Sequence, residues 1–145
     1  MARDTAADVA SILAAAELGL RVGTNLFLGP TLEDDDATVP DVSCFVLQTG
    51  GDPPQGYLGG RKVYRTVTCQ VRVRSDRESF RAGQSLALAT LNVLHLANAA
   101  PYVLMEVDEG SPNYIGTDGS DRHWWTFTVE ASFVDSGPQG SSIVR

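Results

Sequence analysis

Residues 63 to 74 alternate apolar and polar side chains for a dozen positions, and this constrains the fold more than anything else in the chain. Five of the six odd positions are apolar (Val63, Val67, Cys69, Val71, Val73), while the even set from Lys62 reads Lys62, Tyr64, Thr66, Thr68, Gln70, Arg72, Arg74. A period of two over that length predicts a long strand with one face packed and the other polar. A second such run lies at 124 to 134, where Trp125, Phe127, Val129, Ala131 and Phe133 oppose Thr126, Thr128, Glu130 and Ser132.

The long strand also carries much of the positive charge. Residues 61 to 81 hold seven of the eleven Lys and Arg (Arg61, Lys62, Arg65, Arg72, Arg74, Arg77, Arg81) against Asp76 and Glu78, a window of +5 in a chain of −7, so the remainder is −12. Separated patches of opposite sign steer association and fix register, which points to self-association or an oppositely charged partner. The candidates for such an interface are these seven cations with Arg122 and Trp124. The acidic complement is Glu33, Asp34, Asp35, Asp36, Asp118 and Asp121. A net charge of −7 argues against a protein that coats nucleic acid nonspecifically, which needs positive charge to release counterions.

Other elements follow from spacing. Val9, Ile12, Leu13 and Ala16 form a helical stripe within 4 to 18, capped by Asp4 or Thr5 and stopped at Gly19. Short strands are expected at 24 to 28, 42 to 48 and 102 to 108. Ser75 and Glu78 have the spacing of a capping box, so a second helix is predicted from there to Ala99 or Ala100, before Pro101. Its apolar residues, among them Leu88, Leu91, Leu94 and Leu96, point more ways than one stripe allows, so Leu88 and Leu96 are candidate subunit contacts.

The expected fold is therefore α+β: one domain over 1 to 134, an antiparallel sheet of about four to five strands packed against two helices. Long loops are expected at 30 to 41, 49 to 60 and 109 to 123, with a flexible tail at 135 to 145. No apolar run approaches the roughly 20 residues that cross a bilayer. Ala6 to Ala16 is broken by Asp8 and Ser11 and has no basic leader before it, so synthesis in the cytoplasm without a membrane anchor is expected.

The chemistry-bearing motifs are weak. Gly83-Gln84-Ser85 resembles a nucleophile elbow only faintly, because it falls inside a predicted helix and not on a strand-to-helix turn. The glycines from Gly50 to Gly60 lack the Lys-Ser/Thr and following helix of a phosphate loop. Counting an EF-hand from Asp34 puts Val39 and Phe45 where Gly and Glu belong. Cys44 and Cys69 fall in strands, and His95 and His123 have no ligand spacing, so neither catalytic residues nor a metal or other cofactor is expected.

With these elements in place the chain resembles the minor capsid and tail terminator proteins of long-tailed bacteriophages. The resemblance rests on the leading helix, the Gly50-Gly51-Asp52-Pro53-Pro54 loop, the strand Val67-Thr68-Cys69-Gln70-Val71-Arg72-Val73-Arg74, the helix from Ser79, and the ending Gly116-Thr117-Asp118 to Arg122, Trp124, Thr126 and Phe127. It implies a virion structural protein and not an enzyme: a homo-oligomeric ring, usually of six, at the head-proximal end of the tail. Such a ring stacks on the tail tube protein, ends tube polymerisation and offers a surface to a head-completion or connector protein, while genomic DNA passes through its lumen without specific binding. A head-completion or neck adaptor role is the alternative within virion proteins, and a small cytoplasmic ligand-binding domain or enzyme is the alternative outside them.

Overall fold

The computed structural model describes residues 4–29, 39–56 and 63–135. The two alternating runs become its central ribbon. Strands β4 (Val63–Ser75) and β7 (His123–Asp135), thirteen residues each, pair antiparallel along their whole length, from Val63 opposite Asp135 to Ser75 opposite His123. On one side of β4 lies β2 (Ser43–Gly51), antiparallel to it, and outside β2 lies β1 (Leu26–Leu28), which runs parallel to β2. On the far side of β7 lies β5 (Tyr102–Val107), giving the order β1-β2-β4-β7-β5.

Two short strands complete the sheet: β3 (Gln55–Gly56) pairs with the start of β4, and β6 (Asn113–Thr117) pairs with the start of β7. The class is α+β as the pattern implies, but the sheet is larger than expected, with seven strands, and it is mixed because β1 is parallel. Both added strands come from segments that read as loops. β5 reaches only residues 129 to 133 of β7, so the backbone of residues 123 to 126 takes β6 as its partner. Unpaired strand backbone in a half-buried position is costly, and that demand overrides the turn-like composition of Asn113–Thr117.

Helices α1 (Thr5–Ala15) and α2 (Phe80–Leu94) cover one face of the sheet. Asp4 caps α1 by accepting from the Ala7 amide at 3.1 Å. Their inner stripes, Val9 and Leu13 with Ala87, Leu91 and Leu94, meet Cys44 and Val46 of β2, Cys69, Val71 and Val73 of β4, and Trp125, Phe127, Val129 and Ala131 of β7. Each large apolar side chain buried in this layer contributes about 1.5–3 kcal/mol relative to exposure. Gly83 lets α2 come close, since a Cβ there would lie 2.4 Å from Ser75 Cβ and 2.6 Å from the Trp125 ring. The glycine that faintly suggested a nucleophile elbow is thus a packing contact.

The second helix is shorter than predicted at both ends. Ser75 is buried as the last residue of β4 and forms no capping box; Ser79 takes the N-cap position without a side-chain hydrogen bond. At the other end Leu96 turns to a φ of 60°, and its amide donates to Met105 O at 2.7 Å while His95 Nδ1 accepts from the Val107 amide at 3.1 Å. The chain thus leaves the helix to line the outer edge of β5, a common way of blunting an exposed sheet edge. The excess apolar coverage is mostly resolved within the domain: Ala87, Leu91 and Leu94 are buried, Leu86 and Val93 pack against the core, Leu88 is exposed, and Leu96 lies beyond the helix.

Candidate interaction surfaces

The face of the sheet away from the helices is divided in two. At the end where β4 finishes and β7 begins, a small second core forms from Val39, Phe45 and Trp124, with Phe27 packed against it. Arg72 and Arg74 lie in this layer. The Arg72 guanidinium sits 5.1 Å from the Trp124 ring centroid, and Arg74 sits 5.6 Å from those of both Trp124 and Phe45. Arg74 is 1% exposed and donates to the carbonyls of Pro40 (2.6 Å) and Asp41 (2.9 Å). Alternation along β4 correctly puts Arg74 on the polar side. Residues 39 to 41 cross over that side and bury it, so the expected exposed cation is instead a tie between strand and crossing segment.

Asp118 holds the neighbouring corner together. One carboxylate oxygen accepts from the amides of Ser120 (2.9 Å) and Arg122 (3.1 Å), the other from Arg122 Nε (3.0 Å) and Trp124 Nε1 (2.9 Å). Burial alone would raise this carboxyl; the Trp124 bond, the two amides and the Arg122 charge overcome it and hold the group below its ordinary 3.8. Arg122 is buried and reaches Asp41 at 3.7 Å, and Trp124 is buried as well. Arg122 and Trp124, named from the sequence as interface candidates, are both buried and committed to the Asp118 corner. A cleft of about 320 Å³ beside it is lined by Asp41, Asp76, Arg77, Glu78, Ser120 and Arg122, a mixed set without a convergent pocket chemistry.

The remaining interface candidates separate. Arg61, Lys62, Glu33, Asp34, Asp35 and Asp36 lie outside the described residues. Arg65 is half-buried opposite Phe133. Arg77, Arg81 and Asp121 are exposed, Leu88 is 42% exposed, and Leu96 is 61% exposed. Among the described residues β4 does not present one basic stripe, because Arg72 and Arg74 are absorbed by the aromatic layer.

Toward the other end the open face is polar and acidic, and sequence reasoning did not single it out. Thr66 and Ser132 share a 2.9 Å hydroxyl contact, and Leu104 and Val134 stand exposed beside them. Glu106 of β5 faces Glu130 of β7 directly across the strands. Burial first, then the charge and hydrogen bond of Asp108, then the charges of Asp52 and Glu106, push the Glu130 carboxyl above its ordinary value. The signal was present in the alternation, since Glu106 and Glu130 both fall on polar faces; what was missing was the register that sets them opposite each other.

The groups with intrinsic reactivity are occupied structurally. Cys44 and Cys69 are buried, and burial pushes both thiols up to about 12, Cys69 with a further contribution from the charge of Asp4. His123 contacts Tyr114 Oη through Nδ1 (2.9 Å) and Arg77 O through Nε2 (3.1 Å), beside the ring of Phe80. Among the described residues no group of three or more His, Cys, Asp or Glu could hold a metal ion, and no helix is long and apolar enough to cross a membrane.

No protein-family model matches the sequence, and no curated protein matches it. Among solved structures, a chain from the virion of a native gene transfer agent (GTA) particle is similar, with a TM-score of 0.53 and 13% identity, over 88% of this chain and 84% of that one. At that identity the likeness is one of fold.

Proposed function

We propose that the chain is a virion structural protein, a tail terminator subunit that assembles into a ring, six subunits in the simplest case, at the head-proximal end of a tail tube. The ring ends tube polymerisation and presents its other side to a head-completion or connector protein, and genomic DNA passes through the lumen without specific binding. The observation that carries this reading is the fold likeness to a virion chain over 88% of the sequence. The chemistry of the described residues supports it: the thiols are buried, the histidines are tied to backbone and ring partners, and the exposed features are surfaces and not a catalytic constellation. A ring subunit needs two different complementary faces. The domain has two unlike ones, a helical layer and an open acidic sheet face.

Electron microscopy of particles from a genome lacking this gene tests the reading. Overlong or uneven tubes beside tailless heads are expected. Tubes of normal length left unjoined to heads would instead assign a head-completion or neck adaptor role, and intact infectious particles would refute a virion role.

A further inference from the structure

We propose that the subunits join head to tail, the outward stripe of α2 on one copy seating Arg81 and Leu88 on the open sheet face of the next, against Glu106, Glu130, Leu104 and Val134. This rests on the reading of the chain as a self-assembling subunit, and it identifies the two surfaces that meet.

The acidic half of the open face sets like charges side by side. Such charges placed directly opposite on neighbouring strands destabilise a sheet, and Glu106 and Glu130 occupy such a pair, with Asp108 and Asp52 close enough to act on Glu130. Leu104 and Val134 are exposed further along the same face, one and two steps on. Among the described residues no helix covers this side, since α1 and α2 both lie on the other. A partner for it must bring a cation and an apolar group together.

The exposed stripe of α2 brings both. Arg81, Ser85, Leu88 and Asn92 follow one another at helical spacing and are all exposed, and the helix Phe80–Leu94 contains no carboxylate. Arg81 and Leu88 are seven residues apart, about 10 Å along the helix axis. From Glu130 to Val134 along β7 is four residues, about 13 Å, with Leu104 entering beside Ser132 between them. A cation placed at the Glu106–Glu130 pair therefore puts Leu88 over Leu104 and Val134. Desolvating opposite charges beside an apolar contact gives register and specificity.

The two surfaces lie on opposite sides of the sheet. The contact is accordingly heterologous: every copy that uses its helix face on one neighbour keeps its sheet face open to another, and the assembly closes as a ring or continues as a stack. A symmetric pairing of two sheet faces is disfavoured, because it would bring two acidic patches together.

Size-exclusion chromatography with light scattering on the purified full chain tests this, with thermal melting to confirm folding. The wild type is expected to assemble. Arg81→Glu and Leu88→Asp should each weaken assembly at least about tenfold at unchanged melting temperature, because both residues are exposed, and Glu130→Arg should weaken it as much with no fall in melting temperature, since it relieves the repulsion from Glu106. The double variant R81E/E130R, which swaps the signs, should recover it. Assembly that survives R81E and L88D, or a double variant no better than its parents, would overturn this contact while leaving the virion reading to the deletion experiment. A wild type that stays monomeric at high concentration would also overturn it.

Discussion

Replacing Arg74 with alanine removes the tie between β4 and the segment at 39 to 41, and it should cost folding stability in a way that no other arginine substitution on the described strands does. The side chain is 1% exposed, and its guanidinium donates at 2.6 and 2.9 Å to the backbone carbonyls of Pro40 and Asp41. Hydrogen bonds from a charged donor contribute about 1.5–3 kcal/mol each. Part of this survives the substitution, since Pro40 O also accepts from the Ser43 hydroxyl and both Pro40 and Asp41 are exposed, so that water can reach their carbonyls. Losing the guanidinium over Phe45 and Trp124 adds about 0.5–2 kcal/mol. The total is about 3–5 kcal/mol, enough to lower the melting temperature by roughly 10–16 °C in a chain of this length. A lysine at this position would keep the charge but not the planar fork, so Arg74→Lys should fall about halfway. Urea denaturation at pH 7, compared with Arg21→Ala at an exposed position outside the proposed subunit contact as a control within about 0.5 kcal/mol, measures both. An Arg74→Ala variant as stable as Arg21→Ala would mean that this cation is not structural.

Asp118→Asn should destabilise by about 1–2 kcal/mol at neutral pH, through the weakened bonds to Arg122 and Trp124. Because the Asp118 carboxyl is held below its ordinary 3.8, its contribution is complete above that value and is lost as pH falls through the lower folded one, so variant and wild type should converge in acid denaturation curves. Glu130→Gln should act in the opposite sense: the carboxylate is disfavoured in the folded chain, so the variant is the more stable at pH 7, and its advantage fades as pH drops to the ordinary 4.5. Gly83→Ala should destabilise by about 1–3 kcal/mol despite alanine's better helix propensity, because the new methyl meets Ser75 and Trp125, as urea melts will show. Cys44 and Cys69 should resist a thiol reagent in the native chain and react together once it unfolds.

The two long strands were legible because twelve or so alternating positions leave few other conformations that bury Val71, Val73, Phe127 and Val129 on one side. The α+β class followed from them and the two helical stripes. What the alternation could not provide was coverage. It assigns Arg74 and Trp124 to the polar side but says nothing about a distant segment crossing there, so both read as exposed. Ser75 has the right spacing to Glu78 for a cap, yet the strand's own pairing with His123 extends through Ser75 and takes it first. Asn113–Thr117 and Gln55–Gly56 are strands by virtue of the neighbours they pair with and not by composition. The acidic open face was hidden for the same reason, since Glu106 meets Glu130 only through a register fixed by tertiary structure.

The decisive measurement is cryo-electron microscopy of the head–tail junction in intact tailed particles purified from cells that express this gene. A ring of copies of this fold is expected at the head-proximal end of the tube, with the helical layer of each subunit against the open sheet of its neighbour. Purified particles that lack the chain, or that carry it away from the head–tail junction, would contradict it.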